Sequence, residues 1–244
     1  MSTACRADGS ASVRRHQALM DRMYRYQRFV YDGTRKYYLL GRDRLIREMD
    51  LTPGARVLEV GCGTARNLVA LARRAPDADL YGLDLCREML RTAERKLARR
   101  GLAGRVTLRC AGAEAFHYRT TFGLERPFDA VFFSYALSMI PPWREALSTA
   151  VANVRPGGDL YIVDFWDQGG LPTWFRALLT RWLAAFHVRH EPALLAALDA
   201  LGAAGVGKLR LTPVARRYAY VAHLSDVNPA RLADADLLGG GTAA

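Results

Sequence analysis

Short apolar stretches with strand character alternate with helical stretches between residues 55 and 165, and no other feature constrains the fold as strongly. Strands are predicted at 55–60, 80–84, 106–110, 129–134 and 160–165, and helices between them at 67–74, 87–100 and 143–154. Such alternation predicts a parallel sheet with right-handed crossovers. Two further strands, at 206–211 and 218–224, are separated by a turn at Thr212-Pro213. The predicted fold is therefore α/β, a doubly wound and mostly parallel seven-stranded sheet.

The 244 residues have room for one α/β domain with modest additions, and the pattern divides them into four segments. Residues 1–15 are polar and basic, and we expect a disordered leader there. Apolar residues recur at helical spacing in 16–50, with a break at Asp32-Gly33, which predicts an N-terminal helical lid. The sheet domain is predicted at 51–225, followed by a flexible, glycine-rich tail at 226–244.

The net charge of +11 is concentrated on both sides of the predicted sheet domain. Residues 1–50 and 171–220 each carry a net charge of +5, whereas 51–170 carry +3 and 221–244 carry −2. A basic excess of this kind suits an anionic partner: membrane headgroups, nucleic acid or a carboxylate substrate. The alternative is an arginine-rich coding bias, since lysine occurs only at 36, 96 and 208.

The sequence also bears on compartment and metal content. No apolar run approaches the ~20 residues that span a bilayer, and the N-terminus lacks the apolar centre of a secretory signal. A cytoplasmic location is therefore expected. The four cysteines, at 5, 62, 86 and 110, have no metal-ligand spacing, so we expect reduced thiols and no metal.

A glycine-rich turn, Glu59-Val60-Gly61-Cys62-Gly63-Thr64, follows the first predicted strand and opens the first helix. Glycine allows close backbone approach to a ligand, and the amides at the helix start point towards that ligand. Asp84 ends the second strand, where a carboxylate can accept both hydroxyls of a ribose. Alone, Asp84 would be assigned as a helix N-cap, but together with the turn it indicates a nucleoside site. The third glycine of a dinucleotide-binding turn is absent, since Asn67 and Leu68 occupy that region.

These features resemble the class I S-adenosylmethionine (SAM) dependent methyltransferase family, whose fold is Rossmann-like. The resemblance is carried by E-V-G-C-G-T at 59–64, G-L-D at 82–84, A-E-A at 113–115, F-D-A-V-F-F-S at 128–134 and R-P-G-G at 155–158. It implies SAM as the cofactor, with its methionine moiety on the glycine turn, its ribose on Asp84 and its sulfonium above Ser134 and Tyr135. The adenine would lie near Leu85 and Met89, with its edge at Ala113 and Glu114. The implied cofactor-binding residues are Glu59, Gly61, Cys62, Gly63, Thr64, Asn67, Asp84, Leu85, Met89, Ala113, Glu114, Ser134 and Tyr135.

The N-terminal segment resembles one subfamily, the bacterial diacylglycerylhomoserine N-methyltransferases of betaine-lipid synthesis. The stretch Y-Y-L-L-G-R-D-R-L-I at 37–46 carries this resemblance, together with G-C-G-T-A-R-N at 61–67. It implies a lipid headgroup as the substrate. It also implies three successive methylations of the homoserine amine on a diacylglyceryl lipid, which give a trimethylammonium betaine.

Methyl transfer from a sulfonium is an in-line displacement, which chiefly needs a neutral amine held about 3–3.5 Å from the methyl group. Each transfer leaves a bulkier cation, and aromatic faces bind cations well, although an aromatic residue can equally be plain core. We therefore assign Tyr135, Tyr31 and Tyr38 to catalysis, and Tyr24, Arg28, Arg42 and Trp166 to substrate binding. Arginine would pair with the substrate carboxylate, and the alternative for each arginine is a solvated surface position.

The stretch 172–190 combines tryptophan and arginine on a broad apolar helix, which is typical of a helix lying in a membrane interface. The alternative is a lid packed on the sheet. With the basic segments, this predicts peripheral binding to an anionic surface at the inner face of the membrane.

The leading alternative function is methylation of a soluble amine, hydroxyl or quinol. Nucleic acid is not the predicted partner, because Ser134-Tyr135-Ala136-Leu137 lacks the N/D-P-P-Y/F pattern of nucleobase amine methylation. A catalytically inactive SAM-binding subunit is a further alternative, and the intact glycine turn argues against it.

Overall fold

The computed structural model describes residues 39–170 and 192–235, in which seven strands form one sheet of order β3-β2-β1-β4-β5-β7-β6. The strands are β1 (Arg56–Val60), β2 (Asp79–Asp84), β3 (Val106–Cys110), β4 (Phe128–Ser134), β5 (Val154–Phe165), β6 (Lys208–Val214) and β7 (Ala219–Val227). Strands β1 to β5 are parallel, and β7 pairs antiparallel with both β5 and β6. The predicted doubly wound, mostly parallel α/β fold is confirmed.

Helices cover both faces of this sheet. They are α1 (Arg42–Glu48), α2 (Arg66–Arg74), α3 (Arg87–Ala98), α4 (Tyr118–Phe122), α5 (Trp143–Ala152) and α6 (Pro192–Ala203), with 3-10 helices at Leu137–Met139 and Pro229–Asp234. Side chains of α1, α2 and α3 share one hydrophobic core, and those of α4, α5 and α6 share the other. Strand β4 supplies alternate residues to the two cores, as expected for a central strand covered on both faces.

Two stretches outside the predicted strands, 155–158 and 212–213, lie inside strands. Arg155-Pro156-Gly157-Gly158 belongs to β5, whose pairing shifts register beside Gly158, so the residues bulge within the ladder rather than ending it. Thr212-Pro213 belongs to β6, which pairs only with β7 among the described strands. Proline is tolerated there because an edge strand leaves some N–H positions unpaired. The actual turn follows at 215–217, where three consecutive residues have positive φ.

The chain ends differently from the prediction. Strand β7 continues to Val227, and the 3-10 helix after it is capped by the Asn228 side chain, which accepts from the Ala230 amide. The flexible tail predicted from 226 is therefore wrong for 226–235. The predicted leader, the lid up to residue 38, the helix at 172–190 and the last nine residues lie outside the described residues. Within the described ranges, no helix combines the length and apolarity needed to cross a membrane.

Candidate functional site

The carboxyl ends of β1, β2, β4 and β5 meet at one edge of the sheet, and the strand order reverses between β1 and β4. Ligands of doubly wound sheets bind at such a switch point. The glycine turn lies here: the amides of Gly61 and Cys62 both donate to the Leu83 carbonyl, at 2.8 and 2.9 Å. Gly61 and Gly63 have φ of 73° and 52°, and a Cβ on Gly61 would lie 2.7 Å from the Ala136 Cβ. Only glycine fits this conformation and this close approach.

Asp84 is held against the glycine turn by two backbone amides. Its Oδ2 accepts from the Gly63 amide at 2.7 Å, and its Oδ1 accepts from the Cys86 amide at 2.8 Å. Each carboxylate oxygen has a second lone pair, so the fixed carboxylate can still accept from ribose hydroxyls. Thus Asp84 organises the turn and keeps acceptor capacity for a ligand. The hydrogen bond brings Asp84 and Gly63 together at this edge of the sheet, and their contacts with a cofactor stay a prediction.

Glu59 is a buried carboxylate beneath the turn. Its Oε1 accepts from the Asn67 amide at 2.7 Å, whereas its Oε2 is buried without a hydrogen-bond partner in the described part of the chain. Burial raises the pKa of Glu59 to about 8, against the lowering effects of Asn67 and Arg42. A cationic ligand group reaching Oε2 would satisfy this oxygen and favour the charged carboxylate.

Several predicted cofactor residues act through packing or neighbours. The Asn67 side chain holds Glu59, and the Thr64 hydroxyl accepts from the Lys96 ammonium at 2.8 Å. The Cys62 thiol is buried, and a Cβ on Gly82 would lie 2.9 Å from its Sγ, so Cys62 can meet a ligand only through its backbone. Burial raises the pKa of this thiol.

The residues predicted around the adenine lie along the same edge. Leu85 follows the end of β2 and is half-buried, and Met89 is buried on α3. Ala113 is buried in one hydrophobic core, and Glu114 folds back so that its carboxylate covers Gly112. The Glu114 carbonyl accepts from the Thr149 hydroxyl at 3.0 Å. This arrangement leaves the adenine contact of Glu114 a prediction.

Tyr135 makes a structural contact, and its predicted catalytic role stays a prediction. Its φ of 55° is unusual for a residue with a large side chain, and its hydroxyl donates to the Leu40 carbonyl. Its ring packs edge-on against Phe165 at 4.6 Å. Burial raises the pKa of this hydroxyl well above its usual range, and the hydrogen bond to Leu40 clamps the segment before α1. The neighbouring Ser134 Oγ is buried without a hydrogen-bond partner among the described residues.

The predicted substrate residues divide into two groups. Arg42 is buried on α1, its Nε donates to the Leu39 carbonyl, and its charge lowers the pKa values of Glu59 and Tyr135. Arg42 is therefore close enough to influence both Glu59 and Tyr135, and its contact with a substrate stays a prediction. Trp166 is half-buried just after β5, and the Arg217 guanidinium stacks on its ring at 5.0 Å. Tyr24, Arg28, Tyr31 and Tyr38 lie outside the described residues.

Sequence patterns did not single out Asp164 and Tyr220. Asp164 is 1% exposed near the end of β5, and burial raises its pKa to about 6. Tyr220 lies directly opposite it on β7, with a hydroxyl that has no hydrogen-bond partner in the ranges described. The sequence feature that could have identified Asp164 is its position as the single carboxylate within the apolar run Tyr161-Ile162-Val163-Asp164-Phe165.

This geometry fits SAM. The unpartnered Glu59 oxygen suits the ammonium of a methionine moiety, the fixed Asp84 carboxylate suits ribose hydroxyls, and the glycines leave room for both. Across the described ranges, no three His, Cys, Asp or Glu side chains come together as a metal site.

Comparison with known proteins agrees with the fold and the cofactor side. A family model described as a methyltransferase domain matches residues 57–158. A demethylmenaquinone methyltransferase of Geobacillus kaustophilus is 30% identical over 152 residues, covering 59% of this chain and 62% of that protein. The corresponding protein of Anoxybacillus flavithermus is 29% identical over 53% of this chain and 52% of its own length. The chain thus spans about half to three fifths of these curated relatives.

Solved structures give the same fold. The SAM-dependent methyltransferase SibL in its apo form is similar, with a TM-score of 0.65 and 25% identity over 83% of this chain and 59% of that chain. A SAM-dependent methyltransferase from Aquifex aeolicus has a TM-score of 0.57 and 20% identity over 82% of this chain and 96% of that chain. The second likeness concerns the fold alone.

Proposed function

Because this chain contains a class I SAM-dependent methyltransferase domain, we propose that it transfers methyl groups from SAM to the homoserine amine of a diacylglyceryl lipid. Bound SAM supplies an electrophilic methyl group carried on a sulfonium. The chain's own residues bind and orient: Asp84 accepts from the ribose hydroxyls, and the free Glu59 oxygen accepts from the methionine ammonium. The chemistry then needs an amine without its proton, held close and in line.

One observation carries the choice of a lipid amine. The described part of the segment that resembles the betaine-lipid subfamily, 39–46, packs against the acceptor side of the site. By this we mean the carboxyl ends of β4 and β5 and the start of β7. The Leu40 carbonyl accepts from the Tyr135 hydroxyl, and a Cβ on Gly41 would lie 3.1 Å from the Val163 side chain. Residues that carry the resemblance to that subfamily thus contact Tyr135 at the end of β4, near the glycine turn. This supports an acceptor like that of the subfamily.

A quinol is the second candidate, and the curated relatives favour it more directly than they favour a lipid amine. Two of the relatives named above are demethylmenaquinone methyltransferases. Their similarity, however, extends over about half to three fifths of each protein. The family match at 57–158 includes the glycine turn and Asp84, which are assigned to the cofactor, not to the methyl acceptor. We therefore keep the quinol as the alternative acceptor.

Turnover with each acceptor decides between the two. Purified protein is incubated with SAM and either diacylglycerylhomoserine or demethylmenaquinol in detergent micelles, and products are identified by mass spectrometry. The proposal expects mono-, di- and trimethylated lipid in sequence, with the first step faster as pH rises towards the pKa of the bound amine. Methylated quinol with untouched lipid would transfer the assignment to the second candidate, and no product from either would reject both.

We also propose that the protein is cytoplasmic and binds the inner face of the membrane peripherally. The basic segments 1–50 and 171–220, each with a net charge of +5, support this, because each Lys or Arg near an anionic surface contributes about 1 kcal/mol. Liposome sedimentation should give binding that increases with anionic lipid and decreases between low and high salt. Equal recovery in the supernatant with neutral and anionic vesicles would contradict it.

A further inference from the structure

The acceptor side of the site contains a buried carboxylate with fixed orientation and, within 39–170 and 192–235, no cationic partner. Asp164 Oδ2 accepts from the Ser138 amide at 3.1 Å, and its Oδ1 accepts from the Phe165 amide at 2.8 Å. No Lys or Arg within residues 39–170 and 192–235 forms an ion pair with it. A buried charge of this kind is costly unless a counter-charge accompanies it.

Tyr220 lies opposite Asp164, on the neighbouring strand. Tyr220 pairs with Asp164 across the β5–β7 ladder, so both side chains project from the same face of the sheet. Tyr220 is 1% exposed, its hydroxyl has no hydrogen-bond partner in the described part of the chain, and the Asp164 charge contributes to its raised pKa. The partly exposed ring of Trp166 packs edge-on against Tyr220 at 5.9 Å. Asp164 and Tyr220 therefore share one face of the ladder, and the Trp166 ring adjoins that of Tyr220.

A short segment connects this group to the cofactor turn. Ala136 abuts Gly61, and two residues later the Ser138 amide donates to Asp164. The carboxylate is consequently next to the loop where a methyl acceptor has to lie.

We propose that Asp164, the Tyr220 hydroxyl and the Trp166 indole form a subsite for the cationic nitrogen of the methyl acceptor, from primary alkylammonium to quaternary product. This inference rests on the proposed function and names the part of the substrate that is recognised. A carboxylate attracts every methylation state. A quaternary nitrogen has no N–H to donate, so charge attraction to the carboxylate, the negative end of the hydroxyl dipole and the aromatic face hold it.

Cation binding is tested with two probes of equal shape and different charge. Choline carries a trimethylammonium group, and 3,3-dimethylbutan-1-ol replaces that group with an uncharged tert-butyl group. Binding of each to the full chain, saturated with S-adenosylhomocysteine at pH 7.5, is measured by calorimetry. Choline should bind at least about tenfold more tightly than the uncharged probe, since charge-assisted contacts exceed neutral ones by this order.

Single substitutions test whether the preference for choline over the uncharged probe arises at the proposed subsite. Asp164→Asn should weaken choline about tenfold and leave the uncharged probe unchanged. Tyr220→Phe removes only the hydroxyl oxygen, so it should weaken choline by about threefold with the ring intact. Asp159→Asn, five residues earlier on β5 where Asp159 pairs with His223, is the matched control and should change neither probe.

The outcomes separate this inference from the proposed function. Equal affinity of the wild type for both probes, or an Asp164→Asn variant that loses both equally, overturns the subsite. If Asp164→Asn does not fold, Tyr220→Phe decides, and unchanged choline affinity in that variant overturns it. Methylation of quinol only, with Asp164-dependent choline binding intact, overturns the lipid substrate and leaves the subsite standing.

Discussion

At the sheet edge that contains the candidate site, the cofactor side and the acceptor side consist of different chemical groups. The cofactor side, at the ends of β1 and β2, depends on backbone amides, glycines and the carboxylates of Glu59 and Asp84. The acceptor side, at the carboxyl ends of β4 and β5 and the start of β7, contains several aromatic rings and Asp164. The first side suits a polar ligand of fixed shape, whereas the second suits a nitrogen that grows by successive methyl groups. The difference means that substitutions on one side should affect SAM, and those on the other should affect the acceptor.

The largest expected effect is on the cofactor side. Asp84→Ala removes the acceptor of two ribose hydroxyls, and each charge-assisted hydrogen bond is worth about 1.5–3 kcal/mol. SAM affinity, measured by calorimetry, should therefore fall at least about 100-fold. Asp79→Ala, at the exposed opposite end of β2, is the control and should leave SAM affinity unchanged. Unchanged affinity in a folded Asp84→Ala variant would remove Asp84 from the site.

Gly61 joins the two sides, so a substitution there should affect both. Gly61→Ala adds a methyl group 2.7 Å from the Ala136 Cβ at a positive φ, and we expect a loss of about 2–4 kcal/mol in the free energy of unfolding. In Gly63→Ala the φ is also positive, but nothing lies within 4 Å of the new Cβ, so the loss should be about 1 kcal/mol. Denaturant unfolding measures both, and equal losses would mean that contact with Ala136 is unimportant.

The pH dependence of SAM binding tests Glu59. With a pKa of about 8, Glu59 is mostly protonated in the free protein at pH 6, and the bound ammonium favours its charged form. Binding then releases a proton, so affinity should rise as pH increases from 6 to 7.5, by at most about tenfold per pH unit. Glu59→Gln has no proton to release there. Its SAM affinity should be weaker and almost independent of pH over this interval, and a slope equal to that of the wild type would exclude Glu59 as the source.

The smallest effect is expected for Tyr135→Phe. If the hydroxyl only clamps Leu40, its removal should cost about 0.5–1.5 kcal/mol of unfolding free energy, the usual contribution of one hydrogen bond. The kcat should then change by less than about threefold, well below the effect of losing a general base. A kcat reduced 100-fold, with stability unchanged, would return Tyr135 to the catalytic role that the sequence predicted.

The cofactor side could be predicted from sequence because its features are local. A glycine turn after a strand and an acidic residue ending the next strand are fixed by backbone conformation, and their spacing is visible in one pass along the chain. Gly61, Gly63 and Asp84 indeed meet through hydrogen bonds and turns at one edge. The alternation of strands and helices predicted the sheet for the same reason.

The acceptor side could not be predicted in this way, because its residues come together only through long-range pairing. Asp164 and Tyr220 are 56 positions apart and become neighbours through the antiparallel β5–β7 ladder. Tyr135 was identified by its position after β4, yet its hydroxyl direction depends on a segment near residue 40. Strand limits were missed where proline and glycine occur within an edge strand or a bulge, as at 155–158 and 212–213.

The central claim is that the acceptor side selects a cationic amine, and a competition assay tests it most directly. The full chain receives SAM with a deuterated methyl group and vesicles that hold equal amounts of diacylglycerylhomoserine and demethylmenaquinol. Mass spectrometry of the extracted lipids should find up to three labelled methyl groups on the lipid amine and none on the quinol. In Asp164→Asn, labelled amine should decrease by about tenfold, while SAM affinity stays unchanged. Label on the quinol alone, in both proteins, would contradict the claim.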